Sequence, residues 1–146
     1  RLALRQDAPC LSPRSRRQQA VRGLARAGVS GVVNLAEKFA GFSEHWAPRI
    51  VARYNDNDIR IVKVEGEFVW HSHPETDDFF LVLEGVLDIE LRDRTVTLQP
   101  GEIFVVPRGV EHRPVARRGE VKLIVIEPSG TPNTGDAATA TQVEAL

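Results

Sequence analysis

Four side chains of this 146-residue chain have the types and spacing of a metal site: His71, His73, Asp78 and His112. His71 and His73 are two residues apart on a predicted strand, so both imidazoles should leave the same face of it. Asp78 begins the next apolar strand, and His112 follows a Pro-x-Gly turn that should swing the chain back towards the others. Three imidazoles and a carboxylate suit a first-row transition metal, and imidazole favours Zn, Cu, Fe or Ni.

A His-x-His pair on its own is more often a solvated strand surface than a pair of ligands. The glycines and prolines around the histidines favour the ligand interpretation here. Glu75 and Asp77 follow His73 and are most simply a solvated acidic turn. Either is a substitute metal ligand if the Asp78 carboxylate does not reach the metal. His45 precedes the strands and is not expected to bind the metal.

The elements that must position these residues are short strands. Asn34, with Glu37 three residues later, predicts a helix that runs to about Ala40 and ends at Gly41. Turn signals then separate about nine predicted strands, which is typical of an antiparallel sandwich or barrel rather than a parallel α/β sheet. These strands are predicted at 50–54, 59–65, 67–71, 78–83, 86–91, 94–98, 102–106, 112–116 and 120–127.

Composition excludes several classes of protein. The net charge of −1 argues against a nucleic-acid or membrane-surface binder. The single cysteine, Cys10, excludes a disulfide framework and a Cys-cluster zinc site. No apolar run approaches the roughly 18 residues of a membrane span. We therefore expect a soluble domain of a reducing compartment, the cytoplasm, with neither nucleic acid nor membrane as partner.

Two stretches around the histidines resemble the two sequence motifs of the cupin superfamily. Residues 66–85, GEFVWHSHPETDDFFLVLEG, look like the first motif: a glycine, a His-x-His pair, a glutamate and a second glycine. Residues 101–116, GEIFVVPRGVEHRPVA, resemble the second: a glycine, Pro-x-Gly, a histidine and an asparagine. The first motif has one spacer residue fewer than usual, and Ala116 replaces the asparagine. We identify the chain as a member of this superfamily.

The resemblance implies a ligand set and an architecture. His71, His73 and His112 match the histidine ligands, and Asp78 stands at the glutamate position with a carboxylate one methylene shorter. The family fold implied is all-β, an antiparallel jelly-roll (double-stranded β-helix) barrel with a short N-terminal helix. It would hold the metal near its middle, between histidines on facing sheets. We expect one divalent transition metal per chain, with Zn, Fe, Mn and Ni left open.

A closer resemblance is to small single-domain bacterial cupins of the mannose-6-phosphate-isomerase-like type. It rests on residues 104–112 and 126–128 and on Asn133-Thr134-Gly135. That label describes fold ancestry and does not establish sugar isomerisation.

Charge divides the chain into a leader and a body. Residues 1–31 carry seven arginines and one acid, Asp7, whereas the rest carries 12 basic and 19 acidic side chains. The leader superficially resembles an organelle transit peptide, but we interpret it more simply as a non-native or mis-assigned start before Val32 or Val33. We expect a disordered or non-native leader over 1–31 and one cupin domain over 32–146. The barrel core should span about 46–127, with a C-terminal tail over 128–146.

Other residues have a structural interpretation beside the functional one. Residues 79–83 are apolar on both faces, which predicts a second layer: the N-terminal helix, or a second subunit of a homodimer. Lys63 and Arg53 could bind an anionic ligand in the cavity, but edge-strand charges explain them more simply. Trp46 and Trp70 are interpreted as packing residues rather than pocket walls.

Three functions fit these observations. The first is a metal-dependent isomerase- or dioxygenase-type enzyme acting on a small molecule. The second is a non-catalytic, metal-stabilised module that binds or senses a ligand. The third is a barrel that has lost its metal, which the three intact histidines disfavour. Whether the protein is an enzyme stays open, because no general acid or base is evident; Glu111 should point away from its neighbour His112.

Overall fold

The computed structural model describes residues 31–146, so the leader expected over 1–31 lies outside the described residues except for Gly31. Helix α1 spans Leu35–Ala40. No helix in the described part of the chain is long and apolar enough to cross a membrane. Eight strands follow the helix: β1 Arg49–Tyr54, β2 Asn57–Glu67, β3 Asp78–Glu84, β4 Leu87–Leu91, β5 Thr95–Leu98, β6 Ile103–Val106, β7 His112–Pro128 and β8 Glu144–Ala145.

Helix α1 forms where its capping residues predict it. The Asn34 side chain accepts a hydrogen bond from the Glu37 backbone N–H at 3.2 Å, which satisfies one free donor of the first turn. Gly41 ends the helix as expected, with a φ of −81°, an ordinary helical value. The helix buries Phe39 against the outer face of the sheet.

Two predicted strand boundaries are wrong. The strand expected over 67–71 is absent from the described structure; β2 ends at Glu67, and His71 forms only an isolated bridge. The strands expected over 112–116 and 120–127 are one strand, β7. Residues 117–119, between the two predicted strands, have the polar composition of a turn. In the structure, Arg117 and Arg118 are extended and form ion pairs with acids of β4.

Strand β7 is the centre of the sheet. One of its edges pairs antiparallel with β2, and the other pairs with β3 and then β4 along successive lengths. The hydrogen-bonded order is β5-β4-β7-β2-β1-β8, with β6 joined to β3 as a branch. The prediction of a mostly β, antiparallel fold is confirmed. Within residues 31–146, however, this order has two ends and does not close into the expected barrel.

Gly85 joins β3 to β4, two strands that both pair with β7. Its φ is +83°, a region that favours glycine. A Cβ at this position would lie 2.7 Å from the Glu120 carbonyl oxygen. Glycine therefore lets the chain pass close to β7 as it moves from β3 to β4.

Apolar side chains pack on both faces of the strands. The inner cluster draws on every strand from β2 to β7 and includes Val82, Leu87 and Ile89, which are fully buried. The outer cluster joins Phe39 of α1 to β1 and β2, with Leu83 packed against it. The helix is thus a second layer over one end of β3, as the sequence predicts. At the other end, Ile103 and Val105 remain 56% and 43% exposed.

The C-terminal residues, expected as a tail or draped loop, consist of turns and the short strand β8, which pairs parallel with β1. At Gly135 this segment lies against the loop that carries the first two histidines. A Cβ on Gly135 would lie 1.9 Å from the Ser72 carbonyl oxygen, so only glycine allows this approach.

Candidate metal centre

The structure brings together all four residues that the sequence selects. One potential ligand atom from each of His71, His73, Asp78 and His112 lies within 4.8 Å of those of the other three. All four side chains are buried, with exposed fractions of 8%, 3%, 5% and 1% in that order. Buried imidazoles and a buried carboxylate at this separation have the donor types of a first-row metal site.

Three backbone segments hold this cluster. His112 opens β7 and exchanges two backbone hydrogen bonds with His71, of 2.9 and 3.0 Å. Asp78 opens β3. His73 lies in a loop, where its carbonyl oxygen accepts a hydrogen bond of 2.8 Å from the Gly109 N–H. His71 and His73 therefore do not converge as neighbours on one strand face, and His71 and His112 lie on adjacent segments rather than on facing sheets.

Backbone carbonyls orient two of the imidazoles in the same way. The Nδ1 of His71 lies 3.0 Å from the carbonyl oxygen of Val69, and the Nδ1 of His112 lies 3.0 Å from that of Val110. A carbonyl oxygen can only accept a hydrogen bond, so each Nδ1 carries the proton. With Nδ1 engaged in this way, Nε2 is the nitrogen of each ring that is available to a metal, which is how proteins prepare histidines for one.

The remaining contacts fit a single ion. The Asp78 Oδ2 atom lies 3.0 Å from Nε2 of His112 and 3.4 Å from Nε2 of His73. Ligand atoms about 2.1 Å from one ion, at tetrahedral or octahedral angles, lie roughly 3.0–3.5 Å apart. The Nε2 of His73 is buried and has no hydrogen-bond partner in the described structure, an expensive arrangement for a nitrogen that binds nothing. These residues fit a divalent metal ion.

Burial and mutual contact shift the pKa values of the cluster. Burial, reinforced by the nearby His112, lowers the pKa of His71 to about 4, so this imidazole is neutral near pH 7. Burial alone would lower the pKa of His73, but contact with the Asp78 carboxylate outweighs it and raises the pKa. Burial alone would raise the pKa of Asp78, but its contacts with His112 and His73 lower it. Asp78 is therefore an anion that can serve as a ligand.

A narrow cavity of about 50 Å³ opens beside the cluster. His71 and Asp78 form part of its wall, and Glu127 and Asn133 supply two further polar groups. The other ten lining residues are apolar: Trp46, Pro48, Val62, Val64, Phe68, Phe80, Leu87, Pro114, Leu123 and Val125. A small ligand in this cavity would lie next to two of the four potential metal ligands.

Glu127 is a functional candidate that the sequence interpretation missed. It is 4% exposed and lines the cavity, and the buried Arg60 guanidinium donates a hydrogen bond to it. Burial, followed by repulsion from Asp78, raises the pKa of Glu127 to about 7 although Arg60 opposes the shift. A signal was present, because the two-residue alternation of β7 puts Glu127 on the same face as buried Leu123 and Val125.

The alternative ligands do not belong to the cluster. Asp77 is exposed and accepts a hydrogen bond of 2.9 Å from the Arg108 backbone N–H, which ties the His73 loop to the turn before His112. Glu75 is also exposed and is not among the clustered groups. His45 lies elsewhere, with Nε2 2.9 Å from a Glu120 carboxylate oxygen.

Other predicted positions can also be placed. Lys63 donates to the Phe42 carbonyl oxygen and Arg53 to Asp58, and neither lines the metal-site cavity. Trp46 does line it, so the interpretation of Trp46 as packing alone is wrong. Trp70 instead lies outside the cavity with the Arg92 guanidinium 3.8 Å from its ring centre. As expected, Glu111 points away from the cluster, and it pairs with Arg92.

Comparisons with known proteins agree on one family. A family profile described as "Cupin domain" matches residues 59–127. The crystal structure of a cupin-2 domain containing protein from Shewanella frigidimarina is 52% identical, with a TM-score of 0.65; the match covers 66% of this chain and 94% of that one. Protein NMB1881 from Neisseria meningitidis is 32% identical, with a TM-score of 0.61, over 68% of this chain and 100% of that one.

A curated relative is also similar. It is the uncharacterized protein YdbB of Bacillus subtilis, 37% identical over 78 residues, which are 53% of this chain. The matched part spans 63% of the length of YdbB.

Proposed function

This chain belongs to the cupin superfamily, and we propose that it is a metal-binding cupin that binds or acts on a small molecule in the cavity beside the metal. The observation that carries the proposal is the buried group of three imidazoles and one carboxylate within 4.8 Å. Such a group suits a bound ion, because the buried Nε2 of His73 makes no hydrogen bond in the described structure and has the Asp78 carboxylate 3.4 Å away. We expect one divalent ion per chain, held by His71, His73, Asp78 and His112.

A metal bound there would supply Lewis acidity, or a centre for oxygen chemistry if it is redox-active. The chain's own residues have separate tasks. The Val69 and Val110 carbonyls hold His71 and His112 in the tautomer that presents Nε2. The apolar wall limits the water around a bound ligand. Glu127 can hold or accept a proton inside the cavity, where Arg60 fixes its carboxylate.

Two functions remain, and different observations support them. A protonatable Glu127 next to the metal ligands supports an isomerase- or dioxygenase-type enzyme, since such a group could move a proton on a bound ligand. The mainly apolar wall also suits the alternative, a non-catalytic module that binds a ligand without turnover. Metal analysis of purified protein separates them in part. Iron or manganese favours redox or oxygenase chemistry, whereas zinc or nickel leaves isomerase, lyase and binding roles.

The proposal includes finer features. We take the strands to have the double-stranded β-helix arrangement that the family resemblance implies, although their hydrogen-bonded order is open. We also take the chain to be of the mannose-6-phosphate-isomerase-like type, a label that describes fold ancestry and does not establish sugar isomerisation. We also propose a homodimer in the cytoplasm. Apolar side chains exposed on β6 support the homodimer, and the single cysteine suits a reducing compartment.

Substitution of one histidine inside the cluster and one outside it tests the proposal. His73→Ala should reduce the affinity for Co²⁺ by roughly a hundredfold or more, because it removes a ligand that nothing else replaces. His45→Ala is the matched control and should leave the affinity unchanged, since His45 contacts Glu120 away from the cluster. Equal affinities for the two variants would contradict the proposed site. Calorimetric titration with Co²⁺ measures both, and circular dichroism confirms that each variant is folded.

A further inference from the structure

We propose that the cavity beside the metal centre takes a small, predominantly hydrocarbon molecule with one oxygen-donor group, and that it excludes sugar phosphates and other polyanions. The inference rests on the proposed function, because it assumes that the oxygen donor reaches a metal held by the His/Asp cluster.

The walls of the cavity offer few hydrogen-bond partners to the part of a ligand that lies beyond its metal-binding group, here called the ligand body. Ten of the fourteen lining residues are apolar, and the deepest of them, Val64, Leu87 and Leu123, are at most 2% exposed. Each sugar hydroxyl placed against such side chains would lose its hydrogen bonds to water without replacement, at about 1–3 kcal/mol. A hydrocarbon body gains free energy in the same place.

The charges in the wall disfavour a phosphate. The ionisable lining residues are His71, Asp78 and Glu127, and no lysine or arginine lines the cavity within the described residues. The nearest arginine in the contact network, Arg60, already donates to Glu127 and Asp58. A phosphate monoester would therefore lie beside carboxylates without the guanidinium or ammonium partners that usually recognise it.

Two aromatic rings form the side of the cavity next to the metal ligands. Trp46 and Phe68 stack with their ring centres 4.8 Å apart, and the edge of Phe68 meets the His71 ring at 5.3 Å. The Trp46 indole N–H donates to the Glu65 carbonyl oxygen at 2.9 Å, which fixes this ring. The hydrocarbon carbons beyond a metal-bound oxygen donor would thus lie against Phe68 and Trp46.

Asn133 provides one further polar group in the lining. Its Oδ1 accepts a hydrogen bond of 3.0 Å from the Thr141 N–H, and its Nδ2 has no partner within residues 31–146. The close contact of Gly135 with Ser72 anchors this segment beside the histidine loop. Asn133 is therefore available to donate to a ligand oxygen, which suits a carbonyl or carboxylate group.

The size of the cavity limits the ligand body. A group the size of a water molecule needs about 10–15 Å³ of accessible cavity volume. A cavity of about 50 Å³ therefore holds about four such groups. Three or four carbon atoms beyond the donor group would fill it.

Three hydroxamates with one metal-binding head and different bodies test this inference on the Co²⁺-loaded protein. Acetohydroxamate has a methyl body, butyrohydroxamate a propyl body, and succinic monohydroxamate replaces the terminal methyl of the propyl body by a carboxylate. The visible absorption of Co²⁺ reports binding without any activity measurement. Butyrohydroxamate should bind about tenfold more tightly than acetohydroxamate, since two further methylenes are buried. Succinic monohydroxamate should bind at least about tenfold more weakly than butyrohydroxamate.

A matched pair of variants locates the hydrocarbon body. Phe68→Ala removes part of the cavity wall and should reduce the preference for butyrohydroxamate by about threefold or more. Trp70→Ala removes an aromatic ring two residues away that lies under Arg92 outside the cavity, and it should leave the preference unchanged. An unaltered preference in Phe68→Ala would contradict the assigned position of the body.

The outcomes separate the two levels of the proposal. Failure of the protein to take up Co²⁺ contradicts the proposed function itself. Co²⁺ uptake with equal affinities for acetohydroxamate and butyrohydroxamate, or with tight binding of succinic monohydroxamate, overturns the substrate class and leaves the metal centre intact. Co²⁺ uptake without any hydroxamate binding also overturns it, because the cavity would then not lead to the metal.

Discussion

His71 and His112 lie directly opposite each other in an antiparallel backbone bridge, with their imidazole ring centres 4.3 Å apart. Their Nδ1 atoms make equivalent contacts, each with the carbonyl oxygen two residues earlier. One backbone feature thus sets the separation of the two rings and the tautomer of both. We infer that this pair is the rigid part of the centre, to which β3 adds Asp78 and a loop adds His73.

The first prediction concerns the carboxylate. Asp78→Glu should keep Co²⁺ affinity within about tenfold of the original or improve it, because the family motif carries glutamate at this position. Asp78→Asn should lose roughly 100-fold or more, since the amide is neutral. Asp77→Asn is the control, because Asp77 is exposed and contacts Arg108 instead. If Asp78→Asn binds Co²⁺ normally while Asp78→Glu does not, position 78 is not a ligand. Titration with Co²⁺ measures all three variants.

The second prediction concerns Glu127 and pH. The pKa of Glu127 is about 7 in the folded protein and 4.5 as its ordinary value, so the folded state holds this proton more tightly. The resulting stabilisation is fully present below about pH 4.5 and is lost as the pH rises through about 7. In Glu127→Gln this group cannot titrate. From pH 5 to pH 8 the metal-free original should therefore lose stability relative to the variant, by up to about 3 kcal/mol.

Urea unfolding of both proteins in the presence of a chelator, at several pH values, measures this difference. Its change with pH is the relevant quantity, because Glu127→Gln also weakens the contact with Arg60 at every pH. Titrating groups that do not interact with Glu127 are common to both proteins and cancel, whereas the charges of His73 and Asp78 interact with Glu127 and belong to the measured difference. A stability difference that does not vary with pH would show that Glu127 has an ordinary pKa.

The third prediction concerns the outer face of β3 and β6. Val105 pairs with Phe79 and Ile103 with Leu81, so these apolar side chains share one face, and helix α1 covers only its far end. If this face is the homodimer contact, Ile103→Glu should convert dimer to monomer while keeping Co²⁺ binding. Tyr54→Glu is the control, because this side chain lies at the end of β1, away from β3 and β6, and is 66% exposed. Light scattering coupled to size-exclusion chromatography gives the masses, and a monomeric original protein would contradict the homodimer.

The fourth prediction concerns the arginine-rich leader. A shortened chain that begins at Val33 keeps the capping residue Asn34 and helix α1. It should bind Co²⁺ and melt within about 2 °C of the full chain, less than the ~2–4 °C expected for a change of 1 kcal/mol. A much larger decrease in Tm, or loss of the metal, would mean that the leader packs on the domain. Scanning calorimetry makes the comparison.

The sequence was most informative where a local pattern determines the structure. The Asn34 cap specifies α1, and the apolar run at residues 79–83 predicts the packing found on both faces of β3. The two histidine motifs also selected four residues that the fold brings together. Each of these features depends on spacing within a short segment or on the family resemblance.

Features that depend on a distant partner were not predictable in this way. Residues 68–70 are apolar enough for a strand, yet Phe68 turns into the cavity and Trp70 lies under Arg92. Residues 117–119 have the composition of a turn, but acids on β4 pair with Arg117 and Arg118, which stay extended. These ion pairs form only when β4 lies beside β7, so the local sequence does not predict them.

The most direct test of the account is the metal content of purified protein together with its thermal melting before and after chelation. We predict about one divalent ion per chain and a Tm that falls on chelation and recovers when the metal returns, because the ion binds only the folded protein. Protein from metal-replete preparations that holds under about a tenth of an equivalent, and whose Tm is indifferent to added Zn²⁺, Fe²⁺, Mn²⁺, Ni²⁺ or Co²⁺, would contradict the metal centre.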